Sequence, residues 1–191
     1  MPNCVKYPSD TISLLKLDNF DKDLFIQRTI KNYEEFTKTK EIDLYSDYYT
    51  DLKDYINEIL ASIHSITKKT KLDIVVSCEN NIKINSYPGS LSQILTNLIM
   101  NSIIHAYKKD EKGTLNINVS KKDDEIELIY KDDGKGIPPE NLNKIFDPFF
   151  TTNRENGGSG LGLNIIYNIV TTKLNGRIKC KNNVKGIEFI I

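Results

Sequence analysis

Apolar residues recur at helical spacing in two stretches near the amino terminus. Leu17, Phe20 and Leu24, then Ile26, Ile30 and Tyr33, step by three or four, with a shift of the stripe near Phe25, and predict an imperfectly amphipathic helix around 18–38. Leu52, Tyr55, Ile56, Ile59, Leu60 and Ile63 form a cleaner stripe, and no glycine or proline interrupts 48–69, which predicts a second helix. Short β-branched runs at 72–77 and 82–85, punctuated by Asn80-Asn81, predict strands. Tyr87-Pro88-Gly89 breaks the chain. Ser90 with Gln93 three residues later has the signature of a capping box, and the helix it would open, 90–106, buries Leu91, Ile94, Leu95, Leu98, Ile99 and Ile103. Alternation of Leu115, Ile117 and Val119, then of Ile126, Leu128 and Tyr130, predicts strands at 114–120 and 125–131 that pair through Lys122-Asp123-Asp124. A glycine- and proline-punctuated stretch over 132–160 leads to a helix at 161–174 and strands near 177–182 and 186–191. This order predicts an α+β fold, a two-layer α/β sandwich with helices on one face of a mixed sheet. An amino-terminal helical segment, 1–47, would precede a domain spanning 48–191.

Composition narrows the class. Of 191 residues, 39% are hydrophobic and 27% charged, and 26 Lys+Arg balance 26 Asp+Glu, which argues against intrinsic disorder and against a strongly basic nucleic-acid binder. No apolar run approaches the roughly 18–20 residues of a membrane span, and the amino terminus lacks the features of a signal peptide, so the expectation is a soluble cytoplasmic chain. Cys4, Cys78 and Cys180 are widely separated and form no CxxC pair, and with only His64 and His105 beside them they do not build a disulfide framework or a cysteine-rich zinc site.

Neither GxxxxGK[ST] nor GxGxxG occurs, so a phosphate site must be built another way. Four elements offer it: Asn97 and Asn101; Asp132 with Gly134, Gly136 and Ile137; Ile145-Phe146-Asp147-Pro148-Phe149-Phe150-Thr151-Thr152; and Gly158, Gly160, Leu161 and Gly162. Asn97 and Asn101 are four apart and share one helix face. A side-chain carbonyl is a hard oxygen ligand suited to Mg²⁺, which makes Asn101 the candidate metal ligand, although a lone NxxxN more often caps or bridges neighbouring segments. Asp-Gly is equally ordinary turn chemistry. Three alternate glycines running into a helix exceed what one cap requires, and they allow backbone N–H groups and the positive helix end to face phosphate. The roughly 20 residues between the glycine clusters hold no long regular element, a length that is usually functional or disordered. Phe146, Phe149 and Phe150 would anchor that loop by packing, a role compatible with their being ordinary core.

Together these residues resemble the ATP-binding catalytic domain of sensor histidine kinases, within the Bergerat-fold ATPases that also include gyrase, Hsp90 and MutL. Asn97 to His105 is similar to that family's N box, Asp132-x-Gly134-x-Gly136 to its first glycine box, Ile145–Thr152 to its F box and Gly158-x-Gly160-x-Gly162 to its second glycine box. The resemblance covers roughly 50–191. It implies Mg·ATP as the bound species, with Asp132 accepting the exocyclic amine of adenine, Ile137 covering the base, and Asn97, Asn101, His105, Phe150, Thr152, Arg154, Gly158, Gly160, Leu161 and Gly162 completing the nucleotide site. It also implies transfer of the γ-phosphoryl group to a histidine on a dimerisation domain, a response-regulator receiver domain as a further partner, no nucleic acid, and a homodimeric, membrane-attached parent protein. The loop between the glycine boxes would be the ATP lid; related kinases often carry Thr-Thr-Lys-Arg where this chain has Thr151-Thr152-Asn153-Arg154, so one cation of that lid is missing. His64 has no acidic neighbour and no following proline, and is not a convincing phosphoacceptor. The helix at 18–38 would be the trailing part of a dimerisation domain, and the fragment alone would not autophosphorylate. The alternatives are another Bergerat-fold enzyme, such as an anti-sigma serine kinase, or a non-catalytic nucleotide-binding regulatory module.

Overall fold

The computed structural model describes residues 50–84, 87–152 and 159–191; the helix expected at 18–38, and with it the whole segment 1–47, lies outside the described residues. Five strands form one mixed sheet in the order β2 (Lys71–Cys78), β4 (Lys112–Lys122), β5 (Glu125–Asp132), β7 (Ile187–Ile190), β6 (Lys179–Asn182). β2 and β4 run parallel, and the remaining pairs are antiparallel. β4 and β5 are joined by Asp123 and Asp124, between the paired Lys122 and Glu125, with Asp123 at φ 55°. This matches the expected hairpin.

Alternation within the strands decides which side of the sheet is covered. Leu115, Ile117 and Val119 of β4 and Leu128 and Tyr130 of β5 point into one core, where Tyr130 is paired with Phe189 and Phe189 with Cys180. Helices supply the other half of that core. α1 (Leu52–Ser62) contributes Leu52, Ile56 and Ile59, and α3 (Pro88–Asn101) contributes Ile94, Leu95, Leu98 and Ile99. α4 (Gly162–Asn168) and the wide turn after it contribute Ile166, Ile169 and Val170. The expected α+β sandwich is therefore present, its core made mostly of isoleucine and leucine side chains that each contribute about 1.5–3 kcal/mol on burial. None of the described helices is long and apolar enough to cross a membrane.

Several boundaries differ from the sequence expectation for identifiable reasons. Ser90 and Gln93 do not form a capping box: α3 starts at Pro88 with Tyr87 as its N-cap residue, because proline is favoured in the first helical turn, and Ser90 is carried inside as a fully buried residue. The long helix expected over 48–69 is broken at Ile63, where the Ser62 hydroxyl donates to the Ile59 carbonyl oxygen at 2.6 Å, and α2 (His64–Thr67) follows. Its true amino-terminal cap is Asp51, which accepts from the Lys53 and Asp54 N–H groups. Within the stretch expected as a strand at 82–85, β3 (Lys83–Ile84) pairs with β1 (Thr50–Asp51) outside the main sheet. α3 and α4 each end in a π-helical turn, Ser102–Ala106 and Ile169–Lys173. Such turns are rare and occur frequently at functional sites.

The opposite face of the sheet carries an ion-pair ladder across three strands. Glu188 of β7 is 6% exposed, lies between Lys131 and Lys181 in the register, and meets their ammonium groups at 2.7 and 2.9 Å. The two lysine hydrogen bonds hold the Glu188 carboxyl below its ordinary 4.5. Folding therefore gains from its ionisation above pH 4.5, and that gain is lost as pH falls through the lowered folded value. Glu188→Gln is expected to reduce stability by about 1 kcal/mol at neutral pH. Urea denaturation across pH should show the two proteins converging on the acid side; a difference that persists there would refute the ladder's contribution.

Candidate functional site

Asp132 ends β5 on the core side, two residues after Tyr130, and is only 3% exposed. Its Oδ2 accepts the Ser102 hydroxyl at 2.7 Å and its Oδ1 the Gly134 N–H at 3.1 Å. Burial pushes the Asp132 carboxyl up, while the Ser102 hydroxyl and the N–H groups of Gly134 and Ile187 pull against it, and neighbouring Asp133 adds to the rise. The Tyr130 hydroxyl in turn donates to Ser102 Oγ at 2.8 Å. An ionised carboxylate offers about four lone-pair sites, so these donors leave room for one more.

The segment after Asp132 is tied down on both sides. Asp133 Oδ1 accepts from the Tyr107 hydroxyl and the Thr114 N–H, each at 2.8 Å. Against desolvation, these bonds and Lys185 hold its carboxyl below the usual range. Gly134 lies against Ala106: a Cβ there would be 2.6 Å from the Ala106 carbonyl oxygen, which also accepts the Lys135 N–H at 3.0 Å. The close approach that requires a glycine at 134 is to this chain's own π turn. Gly136 adopts φ +76°, and Ile137 is gripped by Asn182 of β6, whose Oδ1 accepts the Ile137 N–H at 3.0 Å and whose Nδ2 donates to the Ile137 carbonyl at 2.6 Å.

α3 brings the second group of candidates to the same place. Asn97 and Asn101 face the same way, and their amide nitrogens are buried with no hydrogen-bond partner among the described residues. Gly162, the first residue of α4, lies beside Asn101: a Cβ there would sit 3.5 Å from Asn101 Oδ1. Gly160, at φ +68°, is wedged against Phe149 and Phe150, where a Cβ would lie 2.5 Å from the Phe149 carbonyl carbon. Leu161 precedes α4 without a side-chain cap of its own. The glycines here thus join α3, the phenylalanine-rich loop and α4. His105 is half-buried in the π turn following Asn101, and Thr152 is exposed. Arg154 and Gly158 lie outside the described residues.

The loop between the glycine clusters is held from below. Phe146 packs edge-on to Phe189 and tilted against Tyr167, Phe150 rests on the core, and the Asn164 amide donates to the Phe146 carbonyl at 2.9 Å. Phe149 differs from the expectation that all three rings anchor the loop: it is 63% exposed and adopts φ 64°. His64 opens α2 in a groove whose lining includes none of the glycine-box residues.

Ser102, Tyr130, Asn182, Asn164 and Gly186 were not singled out as site residues in the sequence. Tyr130 was within reach, since a residue two before Asp132 on a strand shares its face. Gly186, at φ +74°, has no room for a Cβ because the Asp132 backbone occupies the place; nothing local to Gly186 announces this.

The family model described as histidine kinase-, DNA gyrase B-, and HSP90-like ATPase matches residues 87–191. Sporulation kinase A of Bacillus subtilis is 33% identical over 123 residues, covering 64% of this chain and 20% of that protein. Sensor histidine kinase ZraS of Salmonella typhimurium is 30% identical over 169 residues, 87% of this chain and 34% of its own length. This chain thus spans about a third or less of these relatives. Among solved structures, the catalytic domain of histidine kinase ThkA superposes with a TM-score of 0.65 at 28% identity, over 74% of this chain and 94% of that one. ThkA in complex with response regulator protein TrrA aligns at TM-score 0.61 and 27% identity, over 91% of this chain and 52% of that one. A match over more than half the chain, carrying Asn97, Asn101, Asp132 and the second glycine cluster inside it, makes this chain a member of the histidine kinase-, DNA gyrase B- and HSP90-like ATPase family.

Proposed function

We propose that residues 48–191 form the ATP-binding catalytic domain of a two-component sensor histidine kinase, with Mg·ATP as its substrate. One observation carries the reading: α3 and its π turn meet both glycine boxes, Ser102 on Asp132 at 2.7 Å and Asn101 beside Gly162, so three motifs far apart in sequence converge on one helix. The Asp132 carboxylate accepts the exocyclic amine of adenine and favours ATP over GTP, and Ile137, set by Asn182, covers the base. Asn97 and Asn101, whose buried amide nitrogens lack partners among the described residues, serve the phosphate end together with Gly160, Leu161, Gly162, His105 and Thr152. Phe150 supports the lid, and Arg154 and Gly158 keep the phosphate role that the resemblance implies for them.

The Asn101 side-chain carbonyl is a hard oxygen ligand of the kind Mg²⁺ takes, while its buried Nδ2, without a partner among the described residues, is a donor suited to a phosphate oxygen. A Mg²⁺ ion held there would neutralise phosphate charge. The protein's own part in phosphoryl transfer is positioning and exclusion of water, with the lid over the nucleotide. The acceptor is a histidine on a dimerisation domain, and the phosphoryl group then passes to a response-regulator receiver domain. The alignment with ZraS takes in 87% of this chain and so extends well before residue 50, which supports reading 1–47 as the trailing part of that dimerisation domain. The parent protein works at the cytoplasmic face of a bacterial membrane.

Asp132→Asn is expected to leave the fold intact and weaken ATP binding about 10- to 150-fold, the equivalent of roughly 1.5–3 kcal/mol for a hydrogen bond to a charged group. Isothermal calorimetry with unchanged affinity would refute the adenine role. Asn101→Ala should bind ATP in Mg²⁺ no better than the wild-type chain does in EDTA, and should no longer respond to EDTA. A response of wild-type size would overturn the metal assignment. Incubated with γ-labelled ATP and a sensor-kinase dimerisation domain, the chain is expected to yield acid-labile, base-stable phosphohistidine. Acid-stable phosphoserine would instead indicate an anti-sigma type of kinase.

A further inference from the structure

We infer that Ser102 and Tyr130 form a positioning pair that orients the Asp132 carboxylate for a purine 6-amino group, and that this pair sets the chain's preference for adenine. The inference rests on the adenine role proposed for Asp132 and deepens it. Three hydroxyl and carboxyl groups lie in series: the Tyr130 hydroxyl donates to Ser102 Oγ at 2.8 Å, and the Ser102 hydroxyl donates to Asp132 Oδ2 at 2.7 Å. The residues are 0%, 2% and 3% exposed, so water does not compete for these bonds.

Proton directions in this series are determined by the inventory. A serine hydroxyl has one hydrogen and two lone pairs, and the carboxylate is acceptor-only while ionised. The short O–H···O⁻ contact takes the Ser102 hydrogen, leaving its lone pairs to receive the Tyr130 hydroxyl. Among the described residues Tyr130 has one other acceptor in reach, the Leu98 carbonyl oxygen of α3 at a longer 3.3 Å. With the Gly134 N–H on Oδ1 and the Ser102 hydroxyl on Oδ2, both carboxylate oxygens are pinned and rotation about the Cβ–Cγ bond is blocked. The remaining lone pairs therefore point in set directions.

The pair also maintains the polarity that the ligand needs. An amino group donates, and only an ionised carboxylate presents acceptors alone. Groups facing Asp132 include Asp133 of the following loop, Tyr107 after the π turn, Tyr130 on the same strand and Cys180 of β6, none of them cationic. Hydrogen bonds are then what opposes the upward push of burial on this carboxyl, and the one from Ser102 heads them. Ser102 reaches Asp132 from the first position of the π turn, which Gly134 and Lys135 fasten at Ala106.

The test compares ATP with purine riboside triphosphate, which lacks the 6-amino group, by calorimetry on the full chain. The wild type is expected to prefer ATP at least tenfold. Ser102→Ala should weaken ATP about 5- to 20-fold while purine riboside triphosphate changes less than twofold, so that the preference collapses; Ser102→Thr should restore it. Tyr130→Phe, which keeps the buried ring, should give an intermediate loss confined to ATP. Equal weakening of both nucleotides would mean general loosening and would overturn the inference, as would a preference that survives both Ser102→Ala and Tyr130→Phe. Equal wild-type affinity for the two nucleotides would overturn the adenine reading itself, and this inference with it.

Discussion

A carboxylate removed from water must be given back its hydrogen bonds, and much of this domain is arranged around that requirement at Asp132. Desolvation favours the neutral acid, and an isolated buried charge would simply take up a proton. Here a serine hydroxyl from α3's π turn and backbone N–H groups from the following loop and from β7 oppose that tendency. Each donor arrives from a different part of the chain. The site is thus a by-product of no single loop; it exists because the sheet, the helix and the β6–β7 hairpin meet at one side chain.

Close backbone approach is the means by which they meet. Gly186 lies where a Cβ would collide with the Asp132 backbone, Gly134 fits under Ala106, and Gly160 fits against Phe149 and Phe150. Gly134 and Gly160 belong to the two glycine boxes, which the resemblance ties to a nucleotide. In this chain they first make room for neighbouring backbone, and the space for a ligand follows from the contacts they permit. The π turns at Ser102–Ala106 and Ile169–Lys173 serve a similar end, since a helix that widens in its last turn can redirect one side chain without losing the apolar stripe behind it.

Much of this was legible in one dimension. Helical spacing of Ile94, Leu95, Leu98 and Ile99 and alternation of Leu115, Ile117 and Val119 marked the residues that are buried, because periods of 3.6 and 2 are local properties of the backbone. The candidate boxes were legible for a related reason: Asn97 and Asn101 share a helix face, and Asp132 ends a strand, whatever the rest of the chain does. Ser90 and Gln93 misled because Pro88 offered an earlier start to the same helix, and helix ends depend on competition between neighbours. β3 was expected as a strand, but β-branched composition does not say which strand will pair with it, and its partner β1 lies outside the main sheet.

The partners of the site residues were not legible. Ser102 stands 30 residues from Asp132, and Asn182 stands 45 from Ile137. Which hydroxyl meets which carboxylate depends on strand register and on the exit angle of α3, and a one-residue slip in β5 would have turned Tyr130 and Asp132 to the opposite face. By itself the sequence determined the elements, their buried faces and the chemical types available for a nucleotide site, since these follow from local periodicity and from side-chain chemistry. Only the tertiary structure decided that Tyr130, Ser102 and Asp132 act in series, because hydrogen bonds across tens of residues are set by packing between elements and leave no local trace.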